Sequence, residues 1–402
     1  MIIIVYNQIL MIFIINIIIE LRFIKLIIFF ILFIKIIRNF IIKIFHPYTN
    51  DKINQLIKGK KYINICLESL LIQKNNITKI KKPLISVIIP LYNCQKTINS
   101  SIRSIQNQNF SEIEIILVND FSKDNTSNII SKFQKHDKRI QIINNNKSMG
   151  TLYSRSLGVL LAKGEYILTL DNDDMFFDED IFYFLYKIGK EENFDIIEFN
   201  SLLIDNYSYD IFKMRDSLFS NHNNNLVLNQ PKLGMHPFLR KGKYNDINIW
   251  GKYIKNDIYK KGINLLGKKR YSFYICWAED TIIVFIIFNI ANSFKYVNKY
   301  GIIHLWKNTT ASFTESNNNK LFSEIILLDV IFEFSHNTNY KNISVYFAIM
   351  IKKRYNIQEF KNKKIFYILV LILQKIISCK YITKLNKKKI RKEFKNFFEL
   401  QM

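Results

Sequence analysis

Three aspartates stand within four residues directly after an apolar run, in the sequence D-N-D-D at residues 171–174. Carboxylates this close together repel one another unless a cation or several hydrogen-bond donors neutralise them. Their hard oxygen atoms favour Mg²⁺ or Mn²⁺, and a phosphorylated ligand would supply the remaining oxygens. A turn or helix cap made of Asp and Asn would explain one or two of these acids but not three. The cluster therefore predicts a metal-dependent site.

The run before this cluster is one of several β-branched runs that alternate with helical patterns. Strands are predicted at residues 84–90, 113–118, 140–143 and 166–170, from short apolar runs. Helices are predicted between them, at residues 97–106, 124–135 and 150–162. This order predicts parallel strands joined by crossover helices, which is an α/β sheet covered on both faces.

The polar residues that follow each predicted strand are the candidate binding residues, because such sheets bind ligands at the carboxyl ends of their strands. Tyr92 and Asn93 follow the first strand, and Asn119 and Asp120 follow the second. The acidic cluster at residues 171–174 follows the fourth. Chemistry is expected at these positions.

Four motifs resemble glycosyltransferase family 2, the inverting enzymes of the Rossmann-like GT-A nucleotide-diphospho-sugar transferase fold. They are ISVIIPLYN at 85–93, IILVNDFSKDNT at 115–126, NKSMGTLYSRSLG at 146–158 and AKGEYILTLDNDD at 162–174. The resemblance runs from residue 85 to about 200 and more loosely to 312. It implies a mostly parallel sheet with helices on both faces.

The resemblance also implies which residues bind the nucleotide-sugar donor. The loop from Pro90 to Asn93 and the side chain of Asp120 would hold the nucleotide base, with Tyr92 placed to stack on it. Arg155 would lie near the nucleotide. UDP is the nucleotide that we expect.

The acids of the D-N-D-D cluster and of a later W-A-E-D at residues 277–280 take the chemical roles in this resemblance. Asp171 would lie near the ribose and the metal, Asp173 on the metal that bridges both phosphates, and Asn172 beside them in the donor site. Asp280 would take the proton of the acceptor hydroxyl. Glu279 is the other acid of the pair, and since neighbouring residues of a helix point about 100° apart, only one of the two can face the anomeric centre.

Two residues depart from the family pattern. The family usually has two acids followed by Gly and Ser where this chain has Asn119, Asp120, Phe121 and Ser122. Phe121 thus replaces a turn glycine, and Asn119 replaces one carboxylate. These two differences affect the predicted recognition of the nucleobase and leave the predicted metal site unchanged.

Residues 248–263, 277–280 and 304–312 are expected to build the acceptor side and a closing lid. His304 is a candidate third metal ligand, with a structural histidine as the alternative. The three tryptophans, Trp250, Trp277 and Trp306, lie in this part of the chain. Each could stack on a sugar acceptor or pack in the core.

The net charge of +25 is concentrated at the two ends of the chain. Residues 1–82 hold 13 basic and 3 acidic side chains and residues 341–402 hold 16 and 3, whereas the middle is nearly neutral with 29 and 27. Two basic, apolar ends around a neutral centre favour a domain on an anionic membrane surface over a nucleic-acid binder.

The first 19 residues predict an uncleaved membrane anchor. Residues 2–19 carry no charge and would extend about 27 Å as a helix, close to the thickness of a bilayer. The basic flank on the C-terminal side predicts a cytoplasmic catalytic domain, with the Golgi or ER lumen as the alternative. A hydrophobic helix packed on the domain is the other interpretation of this segment.

These observations predict four regions: an anchor at 1–45, a basic helical linker at 46–82, a GT-A domain at 83–315 and a basic helical C-terminal region at 316–402. The GT-A domain would divide into a nucleotide-sugar half at 83–200 and an acceptor half at 201–315. The predicted function is metal-dependent, inverting transfer of a sugar from a nucleotide-diphospho-sugar to a hydroxyl of a glycan, lipid or protein. A non-catalytic nucleotide-sugar-binding protein and a nucleotidyltransferase are the alternatives.

Overall fold

The computed structural model describes residues 81–205, 211–215, 227–229, 248–275, 277–306 and 316–334, together with the single residues Thr78, Ala348, Ile351, Leu369, Ile372, Leu373 and Ile376. The predicted anchor at 1–45, nearly all of the linker at 46–82 and most of the C-terminal region lie outside the described residues. Among the described residues, no helix has the length and apolar character needed to cross a membrane.

The first part of the chain alternates strands and helices, as predicted. The strands are β1 (Ile85–Leu91), β2 (Ile113–Asn119), β3 (Ile140–Asn144) and β4 (Tyr166–Thr169). The helices between them are α1 (Ile98–Gln106), α2 (Thr126–His136) and α3 (Thr151–Leu161). Every residue of β1 and β2 is buried, which is what continuous apolar runs predict for central strands covered on both faces.

The later elements of the described residues are six strands of varied length and five helices. The strands are β5 (Met175–Phe176), β6 (Ile196–Asp205), β7 (Ile211–Arg215), β8 (Val227–Asn229), β9 (Lys252–Lys255) and β10 (Ser293–Trp306). The helices are α4 (Ile181–Glu192), α5 (Asn256–Leu266), α6 (Lys268–Tyr271), α7 (Glu279–Ile290) and α8 (Asn317–Phe334).

The described strands form one mixed sheet in the order β3-β2-β1-β4-β9-β6-β10-β5, with β7 beside β6 and β8 beside β10. Strands β3, β2, β1 and β4 are parallel, and so are β6 and β10. The other described pairings are antiparallel. The prediction of an α/β sheet with helices is confirmed, but the prediction of a mostly parallel sheet is wrong beyond β4. Only residues 206–210 separate β6 from β7, too few for the crossover that a parallel pair requires, whereas the other antiparallel pairs join strands that are far apart in sequence.

Helices cover both faces of the sheet. Helices α3, α5, α7 and α8 share one hydrophobic cluster with alternate strand residues such as Ile88 and Ile116. Helices α1, α2 and α4 share the opposite cluster with Val87, Ile89 and Ile115. Because successive residues of a strand point to opposite faces, β1 and β2 contribute to both layers. Helix α7 is buried along almost its whole length, as its continuous apolar sequence predicts.

Gly158 allows α3 to pack closely on the sheet, and we expect Gly158→Ala to destabilise the fold. A Cβ at this position would lie 2.6 Å from Cγ2 of Ile88 and 3.3 Å from Cγ2 of Val118. Alanine in a helix normally stabilises by about 1 kcal/mol relative to glycine, but overpacking costs about 1–3 kcal/mol and should outweigh it. Urea unfolding measures the difference. Gly262→Ala on α5 is the matched control, because the nearest atom there is 3.1 Å away, and a Gly158→Ala protein as stable as the original would contradict the packing argument.

Candidate active site

The carboxyl ends of β1 and β4 lie side by side and begin the candidate site. The two strands are parallel neighbours. From β1 the chain continues through β2 and β3 on one side and then places β4 on the other side of β1. Such a reversal of strand order opens a crevice where α/β proteins bind ligands. The Nδ2 amide of Asn172 donates to the carbonyl oxygen of Pro90 at 3.1 Å and joins the loops that follow the two strands.

The loop after β1 is held in place by the loop after β2. The backbone N–H of Asn93 donates to Oγ of Ser122 at 3.0 Å, and Oδ1 of Asn93 accepts from the N–H of Lys123 at 2.8 Å. Asn93 has a φ of 47°, a left-handed conformation that asparagine tolerates. The ring of Tyr92 remains 51% exposed at this edge, so it can stack on a planar ligand.

Phe121 adopts a φ of 62°, in the left-handed region that favours glycine. This is the position at which the resembled family has its turn glycine. The ring is 39% exposed, and Nζ of Lys123 lies 3.3 Å from its centroid, within the range of a cation–π interaction. The turn is therefore preserved although its glycine is not.

Asp120 is buried, and its carboxylate accepts four hydrogen bonds from the segment that leads into α3. Oδ1 accepts from Nδ2 of Asn145 at 2.7 Å and from the N–H of Met149 at 2.8 Å. Oδ2 accepts from Oγ of Ser148 at 2.9 Å and from the N–H of Gly150 at 2.9 Å. Asp120 thus fixes this segment, and its predicted contact with a nucleobase stays a prediction.

We expect Asp120→Asn to lower the free energy of unfolding by about 2–4 kcal/mol. Each carboxylate oxygen faces two donors, so an amide NH₂ in either place would meet donors in a buried site, and each lost or mismatched hydrogen bond costs about 1–3 kcal/mol. Urea unfolding measures the loss. Asp257→Asn is the control, because Asp257 is exposed. Equal stability of the two variants would show that the four bonds contribute little.

Arg155 lies at the centre of the acidic residues. It is almost fully buried in α3, and its guanidinium donates to Oδ1 of Asp280 at 2.7 Å and to Oδ1 of Asp171 at 3.0 Å. Oε1 of Glu279 lies 3.7 Å from the same Nη1 that contacts Asp280. Burial opposes the charge of the guanidinium, but the three carboxylates outweigh this effect and raise the pKa of Arg155. One cation therefore joins the predicted donor-side acid to the predicted acceptor-side acids.

Glu279 and Asp280 begin α7 and have different surroundings. Oδ1 of Asp280 binds Arg155, and its Oδ2 accepts from the N–H of Ile249 at 3.2 Å. Glu279 makes the longer contact to Arg155, and its carboxylate has a hydrogen bond to its own backbone N–H. Burial raises the pKa of both acids, and Arg155 opposes that rise. The shorter contact and the hydrogen bond from Ile249 hold the negative charge on Asp280 in preference to Glu279.

Asp174 pairs with His304. The Asp174 carboxylate is fully buried, and Nδ1 of His304 lies 2.9 Å and 2.8 Å from its two oxygens. The indole of Trp250 stacks on the imidazole, with centroids 5.2 Å apart and ring planes 16° apart. Burial lowers the pKa of His304, but the Asp174 carboxylate outweighs it and raises that pKa. The third acid of the D-N-D-D cluster therefore has a protein partner 130 residues away, which no local sequence pattern indicates.

Asp171 and Asp173 are the two partly exposed aspartates of the cluster. Within the part of the chain that the structure describes, no group of three or more His, Cys, Asp or Glu side chains is arranged to hold a metal ion. Mg²⁺ is usually bound by one or two carboxylates together with substrate phosphates and water. Two partly exposed carboxylates fit that mode of binding. The role of His304 as a further ligand stays a prediction.

The environments of two tryptophans are defined. Trp250 is buried against His304. Trp277 is partly buried; its Nε1 lies 3.5 Å from Oε1 of Glu324, and Nζ of Lys320 lies 5.1 Å from its ring. The side chain of Trp306 is outside the described part of the structure. Of Trp250 and Trp277, only Trp277 is partly exposed and could contact an acceptor.

A buried lysine that sequence analysis missed supports the predicted base. Nζ of Lys252 donates to the carbonyl oxygen of Asn248 at 2.7 Å and lies 3.5 Å from Oε2 of Glu198, its cross-strand neighbour. The hydrogen bond from Lys252 holds the backbone at Asn248. The N–H of the next residue, Ile249, donates to Asp280. The sequence signal for such a pair is a charged residue within each of two otherwise apolar runs, and no strand was predicted at either run.

Comparison with known proteins gives a family match over part of the chain. Residues 86–240 match the model of the family described as glycosyl transferase family 2. Glycosyltransferase GlyG of Streptococcus pneumoniae is 35% identical over 127 residues, which are 32% of this chain and 40% of that protein. The Escherichia coli enzyme WfaP, named a UDP-Glc:alpha-D-GlcNAc-diphosphoundecaprenol beta-1,3-glucosyltransferase, is 43% identical over 91 residues, which are 23% of this chain and 36% of that protein. The chain thus spans less than half the length of these curated relatives.

Similarity to solved structures extends further along the chain. The crystal structure of S. aureus TarS 1–349 in complex with UDP-GlcNAc aligns with a TM-score of 0.55 and 15% identity, covering 78% of this chain and 89% of that one. At this level of identity the alignment establishes the fold alone. The fold similarity reaches well beyond the family match at residues 86–240.

Proposed function

From the glycosyl transferase family 2 domain that this chain carries, we propose that the protein transfers a sugar from a nucleotide-diphospho-sugar to a hydroxyl group, with inversion at the anomeric carbon. Loss of a nucleoside diphosphate leaves growing negative charge on the leaving group, which a divalent cation can stabilise by several kcal/mol when it is bound. An alcohol is a weak nucleophile, so a positioned carboxylate is needed to take its proton.

The donor is proposed to bind at the edge formed by β1, β2 and β4. The exposed ring of Tyr92 would stack on the base, beside Pro90, Asn93 and the ordered segment around Asp120. Asn172 would contact the donor from the loop after β4. UDP is the proposed nucleotide, which is in keeping with the UDP-GlcNAc named for the TarS structure and the UDP-Glc named for WfaP.

Asp171 and Asp173 would hold Mn²⁺ or Mg²⁺ against the two phosphates, with His304 of β10 as a further ligand. Asp173 is partly exposed and can accept a cation from solution. Asp171 is already paired with Arg155 through one oxygen and keeps the other for a ligand.

Asp280 is the proposed base, and one observation carries this proposal. The guanidinium of Arg155 binds Asp171 on the donor side and Asp280 on the acceptor side at once. The base therefore lies next to the acid that would hold the donor, which is the arrangement that direct attack by an acceptor hydroxyl requires. Glu279 and Asp280 retain 16% and 18% of their side-chain surface, so an acceptor can reach them.

The acceptor is proposed to be a hydroxyl of a glycan, lipid or protein. The name of WfaP and that of a Campylobacter jejuni relative, 40% identical over 93 residues, both describe sugars on diphosphoundecaprenol or PP-undecaprenol. A lipid-linked glycan is therefore the acceptor that the relatives favour. Membrane attachment through residues 1–45, with the catalytic domain in the cytoplasm, is proposed from the sequence pattern.

Metal dependence tests this function. We expect turnover of a UDP-sugar in Mn²⁺ to stop in excess chelator, and we expect Asp173→Ala to lose turnover without losing the fold, because it removes a partly exposed ligand rather than a core contact. Glu191→Ala, which removes an exposed acid on α4, is the control. Full activity of the chain in excess chelator would contradict the metal and would favour metal-free transfer.

A further inference from the structure

The outer side of helix α3 is apolar. Its outer side carries four apolar residues at helical spacing. Leu161 is 46% exposed, and Tyr153, Leu157 and Leu160 are partly exposed, although Leu157 and Leu160 also pack against the hydrophobic cluster. The only charged residue of α3, Arg155, is buried on the opposite side. A helix that lies on a protein surface normally directs charged or polar residues outward, so this face requires an explanation.

Helix α5 extends the same surface. Helices α3 and α5 are neighbours in one layer on the sheet, and Nζ of Lys260 donates to the carbonyl oxygen of Ala162 at the end of α3. At the other end, the rings of Tyr153 and Tyr271 lie 6.1 Å apart. Leu265 on the outer side of α5 is 40% exposed. The outward residues of both helices therefore share one side of the layer, which we call the α3–α5 face.

Basic side chains surround this apolar strip. Lys163 follows α3, Lys261 lies one helical turn before Leu265, and Lys268 and Lys269 begin α6; all four are exposed. The exposed acid on α5 is Asp257, at its first turn. Between residues 255 and 270 the chain carries six basic residues and one acidic residue, although the middle of the sequence as a whole is nearly neutral.

We propose that the α3–α5 face lies on an anionic lipid bilayer. Leucine and tyrosine side chains at the boundary between headgroups and acyl chains, with lysines extending their ammonium groups toward anionic headgroups, are the features of an interfacial helix. The lysine-rich rim gives the charge complementarity that an anionic surface requires, and each basic residue near such a surface contributes roughly fivefold to partitioning. This proposal does not depend on the transferase activity.

The position of the face would bring the active site to the membrane. Exposed Tyr274 belongs to the segment that joins α6 to α7, and the adjacent carbonyl of Ile275 accepts from the N–H of Leu152 at the start of α3 at 3.1 Å. Glu279 follows four residues later. The bilayer surface would therefore adjoin the edge of the site where Glu279 and Asp280 are exposed, and an acceptor in the headgroup region could enter without leaving the membrane.

A fluorescent label at residue 265 tests the proposal in the full chain. Cys66, Cys276 and Cys379 are replaced by serine, buried Cys94 is kept, and Leu265→Cys is labelled with an environment-sensitive fluorophore. Tyr183→Cys is the matched control, because Tyr183 is 55% exposed on α4, in the opposite helical layer. Vesicles of phosphatidylcholine alone are compared with vesicles that contain phosphatidylglycerol, with and without an acyl-chain nitroxide quencher.

We expect a blue shift and quenching at residue 265 with phosphatidylglycerol vesicles and no such change at residue 183. Changing Lys261, Lys268 and Lys269 to Glu should abolish the response at 265, because three basic contacts contribute on the order of 100-fold to the equilibrium between the face on and off the bilayer. Equal responses at both labels, an undiminished response after charge reversal, or an equal response with neutral vesicles would overturn the proposal. A response at 265 that requires no vesicles and grows with protein concentration would overturn it in favour of a second copy of the chain.

Discussion

Asp280→Asn should reduce sugar transfer by about 10²–10⁴-fold and leave nucleotide-sugar binding nearly unchanged. Asparagine keeps the shape of the side chain and one acceptor oxygen, so it can accept from Arg155 or from the N–H of Ile249 but not from both, and it cannot take a proton. The loss corresponds to about 3–5 kcal/mol of activation barrier. Steady-state kinetics with the donor and acceptor varied separately, together with equilibrium binding of the donor, separate the two effects.

Glu279→Gln is the matched comparison for this prediction. Glu279 is adjacent in sequence but lies 3.7 Å from Nη1 of Arg155, against 2.7 Å for Asp280, and the hydrogen bond from Ile249 goes to Asp280. We therefore expect Glu279→Gln to cost less than about tenfold in transfer. If Glu279→Gln abolishes transfer and Asp280→Asn does not, the roles of the two acids are reversed. If neither variant matters, neither acid is the base.

Arg155→Met should destabilise the fold by about 3–5 kcal/mol and also remove transfer. The substitution keeps much of the side-chain volume but removes the cation shared by Asp171, Glu279 and Asp280, and removal of one partner from a buried ion pair leaves a charge without compensation. The acids then gain protons or water at the expense of the folded state. Urea unfolding of Arg155→Met measures the stability loss.

A double-mutant cycle assigns that loss to the ion pair rather than to packing. Asp280→Asn removes one of the charges that Arg155 neutralises, so Arg155→Met should cost about 1–3 kcal/mol less in the Asp280→Asn background than in the original protein. Arg155→Lys keeps the positive charge but cannot form two separate bonds to Asp171 and Asp280 with a planar guanidinium; it should recover part of the stability and little of the transfer. Strict additivity in the cycle would show that Arg155 does not couple to the base.

The first half of the fold could be predicted from the sequence because each of its elements has a strong local pattern. Strands β1 to β4 and helices α1 to α3 begin and end within two residues of the predicted positions. Runs of β-branched residues mark these strands, and apolar residues at helical spacing mark these helices. The strands after β4 could not be paired in this way, since a strand such as β9 is four residues long and its partners, β4 and β6, are set by tertiary packing.

The site shows the same division between local and long-range information. The acids of the D-N-D-D and W-A-E-D motifs, and Arg155 between them, could be named from motifs, and the structure brings Asp171, Arg155 and Asp280 together. The resemblance placed His304 beside the acidic cluster as a candidate metal ligand, but its direct pairing with Asp174 could not be predicted, because the two residues are 130 positions apart.

Two charges of the D-N-D-D cluster are also neutralised in a way that the sequence did not predict. Three neighbouring aspartates suggested a single cation, but the structure gives two of them separate partners within the protein: Asp171 pairs with Arg155, and Asp174 pairs with His304. Sequence reasoning counts charges along the chain and cannot see which of them acquire partners in the fold. The proposed cation is placed on Asp171 and Asp173 because these are the two partly exposed acids of the cluster.

The most direct test of the proposed function is the reaction between the full chain, Mn²⁺ and a panel of UDP-sugars, with and without simple hydroxyl acceptors, with the products identified by proton NMR after the paramagnetic Mn²⁺ has been removed. We predict that at least one donor releases UDP, that the first sugar product has the opposite anomeric configuration to the donor, and that the Asp280→Asn protein binds this donor without transferring it. Release of no nucleoside diphosphate from any donor under these conditions, or a product that retains the anomeric configuration of the donor, would contradict inverting transfer at this site.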